Sequence, residues 1–457
     1  MDRSEQMKKL ESWLDSYLNF ERTPRKNIFW LDTMRFLCGK FGHPELSAPC
    51  FHVAGSKGKG SVSAFIASIL DAAGLRTGLY TSPHILDFTE RVSSVRGLFD
   101  DAVYGEAAAE IMDGVRSVGR DEFPGGRDVT WFELVTLFAF LVFRRAGVDY
   151  SVFEVGLGGR LDSTNIVSPV CSCITPVELE HTEFLGGTIE KIAFEKGGII
   201  KERTPVVIAR QQKSAADTLL AVASEKRAPV ILADEAIKGL EYKISPLGKC
   251  AEEPGTPLMT VSFSADVFSR PVKTSLRMHG KFQAENAALA ALAVKTAVPA
   301  VTEEQIERGL AAAALPARFE IIRNPKGFGE IPYLVLDGAH TVNSVSLTME
   351  TMRSALGESG HTLLFACAAD KDAPAIAPLF RGCFERIFLT RPGDAKQSDL
   401  AALTRAFDNA GLPYDCSADY KAQILKALGS ARERRSALLV TGSFYLIAEV
   451  MRILRAL

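Results

Sequence analysis

The sequence predicts an α/β protein of two domains: an N-terminal P-loop ATPase-type domain on a mixed sheet, and a smaller C-terminal Rossmann-like α/β domain. Three observations carry this. A strand, a glycine-rich loop and an amphipathic helix succeed one another in FHVAGSKGKGSVSAFIASILDAAG, beginning at Phe51. Apolar runs of strand character then alternate with helical segments, as crossover connections in a sheet require. The alternation lapses around Pro299 and starts afresh at YLVLD. A chain of 457 residues, 47 % hydrophobic and 24 % charged, has material for two buried cores.

Taken in order, ESWLDSYLNF and FWLDTMRFLCGKF place apolar residues three to four apart and predict helices within the first fifty residues. After the glycine-rich loop come the strand candidates TGLYTS, YSVFEV, VCSCIT and PVVIA. The run LVTLFAFLVF (Leu134 to Phe143) is too short to span a membrane and is closed by Arg144 and Arg145, so it reads as a core helix. From Glu235 to Lys273, Pro and Gly punctuation (SPLGKCAEEPGTP) predicts short antiparallel strands or a surface excursion. An Ala-rich helix from Gln283 to about Ala297 precedes Pro299, a helical TEEQIERGLAAA, and Leu315-Pro316. The domain connection is expected over about 298–318, giving domains 1–299 and 300–457. The second domain is read from YLVLD, TLLFAC, RIFLT and ALLVTG, each followed by a helical stretch.

A formal charge of -2 with mixed signs gives no basic face for nucleic acid. The start, MDRSEQMKKLESW, is charged from its second residue and has no secretory pattern. Eight cysteines, at 38, 50, 171, 173, 250, 367, 383 and 416, form no CxxC pair and read as reduced, buried thiols of a cytoplasmic protein.

Four segments carry chemistry. In Gly55-Ser56-Lys57-Gly58-Lys59-Gly60-Ser61 the glycines let backbone N–H groups turn towards phosphate oxygens. Lys59 supplies counter-charge and Ser61 a hydroxyl for magnesium. The strict Walker pattern is not met: Val53 stands at its first glycine and Gly60 at its Ser/Thr. Glu154 ends the YSVFEV strand beside Gly156-Leu157-Gly158-Gly159-Arg160-Leu161-Asp162, where a magnesium-holding carboxylate belongs; an acid capping the next turn is an equal reading of it alone. His181 repeats that placement after VCSCITPVELE, with a structural histidine as the alternative. In Phe194-Glu195-Lys196-Gly197-Gly198, periodicity shows a helix end with a glycine stop, and Lys196 as a surface residue. Asp337-Gly338-Ala339-His340 sits at the carboxyl end of YLVLD, on the edge where such sheets bind ligands; a tight turn with a helix cap stays open. Asp370-Lys371-Asp372 and Gly442-Ser443 end two further strands on that edge.

In sequence these motifs resemble the folylpolyglutamate synthase family, a branch of the Mur ligases. HVAGSKGKGS is similar to its P-loop, TGLYTSPHILDFTERV to its substrate-side segment and TWFELVTLFAF to the helix that follows; EVGLGGRLDSTN is the most specific match. FEKGGIIK, HGKFQAENAALAALAV, LPARFE, LDGAHT, DKD and TGSFYLIAEV continue the series, so the resemblance runs from about residue 20 to 450, with Asp234 to Leu276 unmatched. It implies an ATP-dependent ligase that adds L-glutamate to reduced folates, and that also joins dihydropteroate to L-glutamate as a dihydrofolate synthase, with the active site in the cleft between the domains. It implies ATP contacts from the P-loop residues and from Asn286, Arg318 and Asp337. Two magnesium sites are implied, with Ser61, Ser82, Glu154, His181 and a carbamylated Lys196 as ligands, while a need for a monovalent cation stays open. Thr130, Phe132, Leu161 and Asp162 match the pterin site, and His340 and Ser443 lie near the incoming glutamate. Lys59, Lys196 and His340 are the implied catalytic residues, in a cytoplasmic monomer.

The chain departs from the family pattern at several points. Glu180-His181 stands for Asp-His, Pro316-Ala317-Arg318 for Pro-Gly-Arg, and His340-Thr341 for His-Asn. Lys57 replaces a frequent Asn, and Leu31-Asp32-Thr33 a Leu-Glu-Arg, which removes an arginine on the pterin side. Three alternatives stand beside the bifunctional reading: a monofunctional synthase of either kind, a Mur-type ligase of a peptidoglycan precursor, and a nucleotide-binding regulator without turnover. The intact Glu154, His181, Lys196 and Asp337 weigh against the last.

Overall fold

A computed structural model describes residues 3–19, 30–248, 258–394 and 396–456. The chain divides into two compact units. The first takes the residues up to Glu241 with Ser262–Thr274 and Glu285–Ala313; the second takes Tyr242–Val261, Ser275–Ala284 and the chain from Ala314 onward.

The first unit is built on a seven-stranded sheet: β1 (Cys50–Ala54), β2 (Thr77–Tyr80), β3 (Val92–Ser93), β4 (Tyr150–Glu154), β5 (Cys171–Ile174), β6 (Val206–Ile208) and β7 (Val230–Leu232), in the order β3-β2-β4-β1-β5-β6-β7. Every pair is parallel except β2 with β3. The sheet is therefore mixed, with the glycine-rich loop leaving its central strand. Because both faces are covered by helices, β1 and β5 read as unbroken buried runs rather than alternating ones. The helix Trp131–Ala146 holds LVTLFAFLVF and is buried nearly all round, as its apolar circumference demands. Thr130 and Glu133 form a capping box at its start, and Gly147 ends it with φ 59°. The expected early helices are Arg3–Leu14 and Asp32–Lys40; Phe20 to Phe29, with parts of both motifs, lie outside the described residues.

Helix Glu303–Ala312, read from sequence within the domain connection, packs on the P-loop helix Lys59–Ala72. Its Gly309 makes this approach possible: a Cβ there would lie 2.4 Å from Ile69 Cα, while Ser68 Oγ donates to Gly309 O at 2.7 Å. The stretch from 235 to 273 contributes β8 (Lys238–Ile244), β9 (Met259–Ser264) and the start of β10 (Val272–Leu276), a three-stranded sheet in the order β10-β9-β8. Cys250 lies outside the described residues; Cys38, Cys50, Cys171, Cys173, Cys367 and Cys383 are free and buried, and Cys416 is free and half-buried.

The second unit has a six-stranded sheet: β11 (Glu320–Arg323), β12 (Tyr333–Asp337), β13 (His361–Phe365), β14 (Phe384–Leu389), β15 (Asp415–Cys416) and β16 (Leu438–Thr441), ordered β11-β12-β16-β13-β14-β15. Only the β11–β12 pair is antiparallel among these. Asp337 and Thr441 pair at the carboxyl ends of β12 and β16. The turn carrying His340 and the turn carrying Ser443 therefore leave the sheet side by side.

Candidate active site

In the first unit the glycine-rich loop is shaped by close contacts. Gly55 has φ 144°, and a Cβ there would lie 1.9 Å from Thr175 Oγ1. Gly58 has φ 85°, with the Asn286 amide of helix Lys281–Ala297 packed where its side chain would be, 2.6 Å from that point. Both positions require glycine. Ser56 is tied to the strand end of β5: its N–H donates to Pro176 O, and its hydroxyl exchanges hydrogen bonds with the Glu178 backbone. Gly60 and Ser61 are buried in the first turn of the helix.

Lysines converge on this loop. Lys59 Nζ donates to Gly55 O at 3.1 Å, and Lys196 Nζ donates to the same oxygen at 2.8 Å. Lys196 is 2 % exposed, so the surface placement expected from helical periodicity is corrected. The cause is long-range. Gly159 presses on the end of helix Ile189–Gly197, where a Cβ would lie 2.8 Å from Glu195 O. A Cβ at Gly198 would lie 2.3 Å from Arg160 Cβ. The glycine pairs of VGLGGR and FEKGG are thus two sides of one contact, closed by Arg160 N to Glu195 O at 2.7 Å and by the Arg160–Glu195 ion pair.

Glu180 is the counter-charge. Its carboxylate accepts from Lys196 Nζ at 3.0 Å and lies 3.6 Å from Lys57 Nζ. Burial alone would raise its pKa, but the charges of Lys196, Lys59, Lys57 and His181 outweigh burial and hold it at about 2. Burial lowers Lys196 to about 8, with Glu180 pulling the other way. The sequence showed Glu180 as a departure beside a ligand, without its part in holding the lysines. His181 follows in left-handed conformation, φ 48°, at the start of the short helix Thr182–Leu185.

Glu154 is buried at the end of β4 and accepts from Ser82 N at 3.0 Å. The two expected metal-side residues Ser82 and Glu154 are therefore adjacent. Among the described residues no three His, Cys, Asp or Glu side chains form a metal cluster. A buried carboxylate with a serine beside it offers the oxygen donors a magnesium ion takes, the remaining ligands coming from water and phosphate.

The residues expected at the pterin site have firm structural partners. Asp162 accepts from Gly156 N, Leu157 N and Thr164 N, each at 3.0 Å, and caps the turn Ser163–Ile166. Phe132 packs over Gly156, where a Cβ would lie 2.5 Å from its Cζ. The Thr130 N–H and hydroxyl donate to Glu133, whose carboxyl is pushed up by burial to about 6. Leu161 lines a cavity of about 440 Å³ with Trp30, Leu31, Asp32, Arg35 and Lys201. Thr33, at the lost arginine position, is buried in helix Asp32–Lys40.

In the second unit Asp337 accepts from Phe319 N and Ala339 N, both at 2.8 Å, and from Thr348 Oγ1 at 3.2 Å. Burial raises its pKa, and these bonds and the Arg318 charge oppose the rise. Ala317 has φ 57° and Phe319 φ 50°, so the segment carrying Arg318 is held in left-handed backbone at a position where the resembling family has glycine. The Arg318 guanidinium lies 4.4 Å from the Phe444 ring centre, and the His340 ring meets the same ring edge-on at 6.1 Å. His340 Nδ1 lies 2.8 Å from Gly338 O, which can only accept, so Nδ1 carries a proton and Nε2 is the basic nitrogen. Ser443, buried, accepts from Tyr445 N, and Thr341 caps helix Val342–Leu356. Phe444 was not singled out from the sequence; its place after the Gly442-Ser443 turn was the available signal.

Two family models match the chain: the Mur ligase middle domain over residues 53–294 and the Mur ligase glutamate ligase domain over 317–444. The dihydrofolate synthase/folylpolyglutamate synthase of Bacillus subtilis is 32 % identical over 97 % of this chain and 98 % of its own length. The chain belongs to the dihydrofolate synthase/folylpolyglutamate synthase family. Its fold matches the Mycobacterium tuberculosis folylpolyglutamate synthase complexed with ADP and AMPPCP, with a TM-score of 0.83, 26 % identity and 99 % of each chain covered. It also matches Escherichia coli FolC in complex with DHPP and ADP, with a TM-score of 0.80, 27 % identity and 98 % of each covered. The α/β fold with two sheet-bearing parts, a mixed N-terminal sheet and a C-terminal one, is that of folylpolyglutamate synthases. Among the described residues no helix is long and apolar enough to cross a membrane.

Proposed function

We propose that the chain joins L-glutamate to the carboxyl group of folate-type acceptors at the cost of ATP, acting on both reduced folates and dihydropteroate. The observation that carries this is the lysine-lined glycine loop, with Lys59 and Lys196 on Gly55 O, in a chain of this family.

A carboxylate is a poor electrophile, so its activation by transfer of the γ-phosphoryl group to give an acyl phosphate comes first. Lys59 and Lys57 offset phosphate charge, and Gly55 to Ser61 with Asn286 hold the nucleotide. Ser61, Ser82, Glu154 and His181 would hold magnesium, with Lys196 joining them if carbamylated; the ion, when bound, offsets charge on the transferring group. In the second unit we assign Arg318 and Asp337 to ATP, and His340 and Ser443 to glutamate. To His340 we also assign the proton released by the amine, a reading supported by Nδ1 being the nitrogen that donates to Gly338 O. Thr130, Phe132, Leu161 and Asp162 are assigned to the acceptor side. The loss of an arginine at Thr33 bears on the dihydropteroate activity and not on the ligation.

The deciding assay is phosphate release from ATP with L-glutamate and either tetrahydrofolate or dihydropteroate. Turnover with both is expected; turnover with one fixes a monofunctional enzyme. Silence with both, in folded protein that binds ATP, overturns the proposal. Lys59→Ala is expected to abolish ligation with the fold intact, and retained activity refutes the phosphate-cradle assignment.

A further inference from the structure

The central strand of the first sheet carries a residue that its surroundings do not call for. β1 is buried along its whole length between apolar neighbours, yet its middle residue is a histidine, His52, 0 % exposed. Its Nε2 lies 2.8 Å from Thr164 Oγ1, while its Nδ1 has no hydrogen-bond partner among the described residues. An unpaired ring nitrogen in the interior is unfavourable, so the bond made by the other nitrogen needs an explanation.

The neighbours fix the direction of that bond. Asp162 Oδ2 accepts the N–H groups of Gly156 and Leu157, and Oδ1 accepts that of Thr164, so the group acts as a carboxylate acceptor. The Thr164 hydroxyl, 2.5 Å from Oδ1, therefore donates to it. Its lone pair is what faces His52, and His52 must be the neutral tautomer with the proton on Nε2. Burial and the Lys201 charge push the His52 pKa well below its usual value, in keeping with a neutral ring.

We propose that His52 is a positioning residue for the acceptor side: it orients the Thr164 hydroxyl, which fixes the Asp162 carboxylate and with it the loop Gly156–Asp162. The strand that leads into the phosphate loop at Gly55 is thereby hydrogen-bonded to the loop that carries Leu161 and Asp162. The functional half of this rests on the acceptor-side assignment of Leu161 and Asp162; the hydrogen-bond relay does not.

The test uses His52→Phe, which keeps a ring and removes the donor, and His52→Gln, which keeps an amide N–H. Hydrogen exchange is read at Gly156 and Leu157 and across helix Trp131–Ala146, and KM is measured separately for ATP and for the folate acceptor. His52→Phe is expected to speed exchange at Gly156 and Leu157 about tenfold, with helix protection unchanged, and to raise acceptor KM about tenfold with ATP KM within about twofold. His52→Gln is expected to restore both. If His52→Phe does not fold, Thr164→Val cuts the relay at its next link and carries the same expectations. Nitrogen NMR of the wild-type ring should show the Nε2–H tautomer; an Nδ1–H ring, or wild-type exchange at Gly156 in the cut variants, overturns the relay. An equal rise in both KM values overturns the acceptor-side role. Absence of any folate turnover in the wild type would defeat the proposed function, while the exchange and tautomer results would still decide the relay.

Discussion

Replacing Glu180 by Gln removes the negative charge that Lys57, Lys59 and Lys196 share. In the folded chain this carboxyl is held at about 2 against 4.5 for the free group, burial opposing and the lysines prevailing. That drop corresponds to about 3 kcal/mol of preference for the charged form in the folded state. The side chain is 14 % exposed, so solvent screening removes little of it. Lys196, already lowered to about 8 by burial, loses its proton more readily in the variant and returns part of the loss. A net destabilisation of about 2–3 kcal/mol at pH 7 is expected. The assay is urea unfolding of wild type and Glu180→Gln across a pH series. Because the folded pKa is depressed, the stabilisation is present in full above 4.5 and is lost as pH falls towards 2. The gap between the two proteins should therefore be widest at neutral pH and close through that window. Equal stability at pH 7, or a gap that widens in acid, would refute the assignment of Glu180 as the counter-charge.

Other substitutions test separate contacts. Gly309→Ala drives a methyl into the Ile69 backbone and should cost about 1–3 kcal/mol in urea unfolding. Thr130→Ala removes the cap of helix Trp131–Ala146 and a partner of the buried Glu133, for about 1–2 kcal/mol by the same measurement. Phe444→Leu removes the ring beneath Arg318 and should raise KM for ATP about two- to fivefold, while Phe444→Tyr stays near wild type in steady-state kinetics.

The strands that mattered for chemistry were legible because they are buried runs with a marked exit: β1 opens into the glycine-rich loop at Gly55, β4 ends at Glu154 and β12 ends at Asp337. The strands not read from sequence were β3, β7, β11 and β15, of two to four residues each. These lie at or beside sheet edges and show little period-two pattern. Lys196 was misread for a different reason. Helical periodicity reports which side of its own helix a residue occupies, whereas the burial of Lys196 is imposed by Gly159 and Gly55, far away in sequence. Glu180 and Phe444 were opaque for the same cause: each acts through partners that only the folded chain assembles. His52 could be read as a strand residue but not as a donor, since Thr164 and Asp162 come near only through the β1–β4 pairing and the loop beyond it.

The seating of helix Glu303–Ala312 on the P-loop helix bears on how the protein is made. A ribosome releases Lys59–Ala72 long before the segment that covers it. At about 5–20 residues per second, the interval is on the order of 10–50 s. Throughout that time the nascent chain presents the Ser68–Ile69 groove bare, along with whatever apolar surface Gly309 later allows to close. The first unit thus cannot finish folding in order of emergence, and a holding factor that covers the groove during the wait would raise its yield.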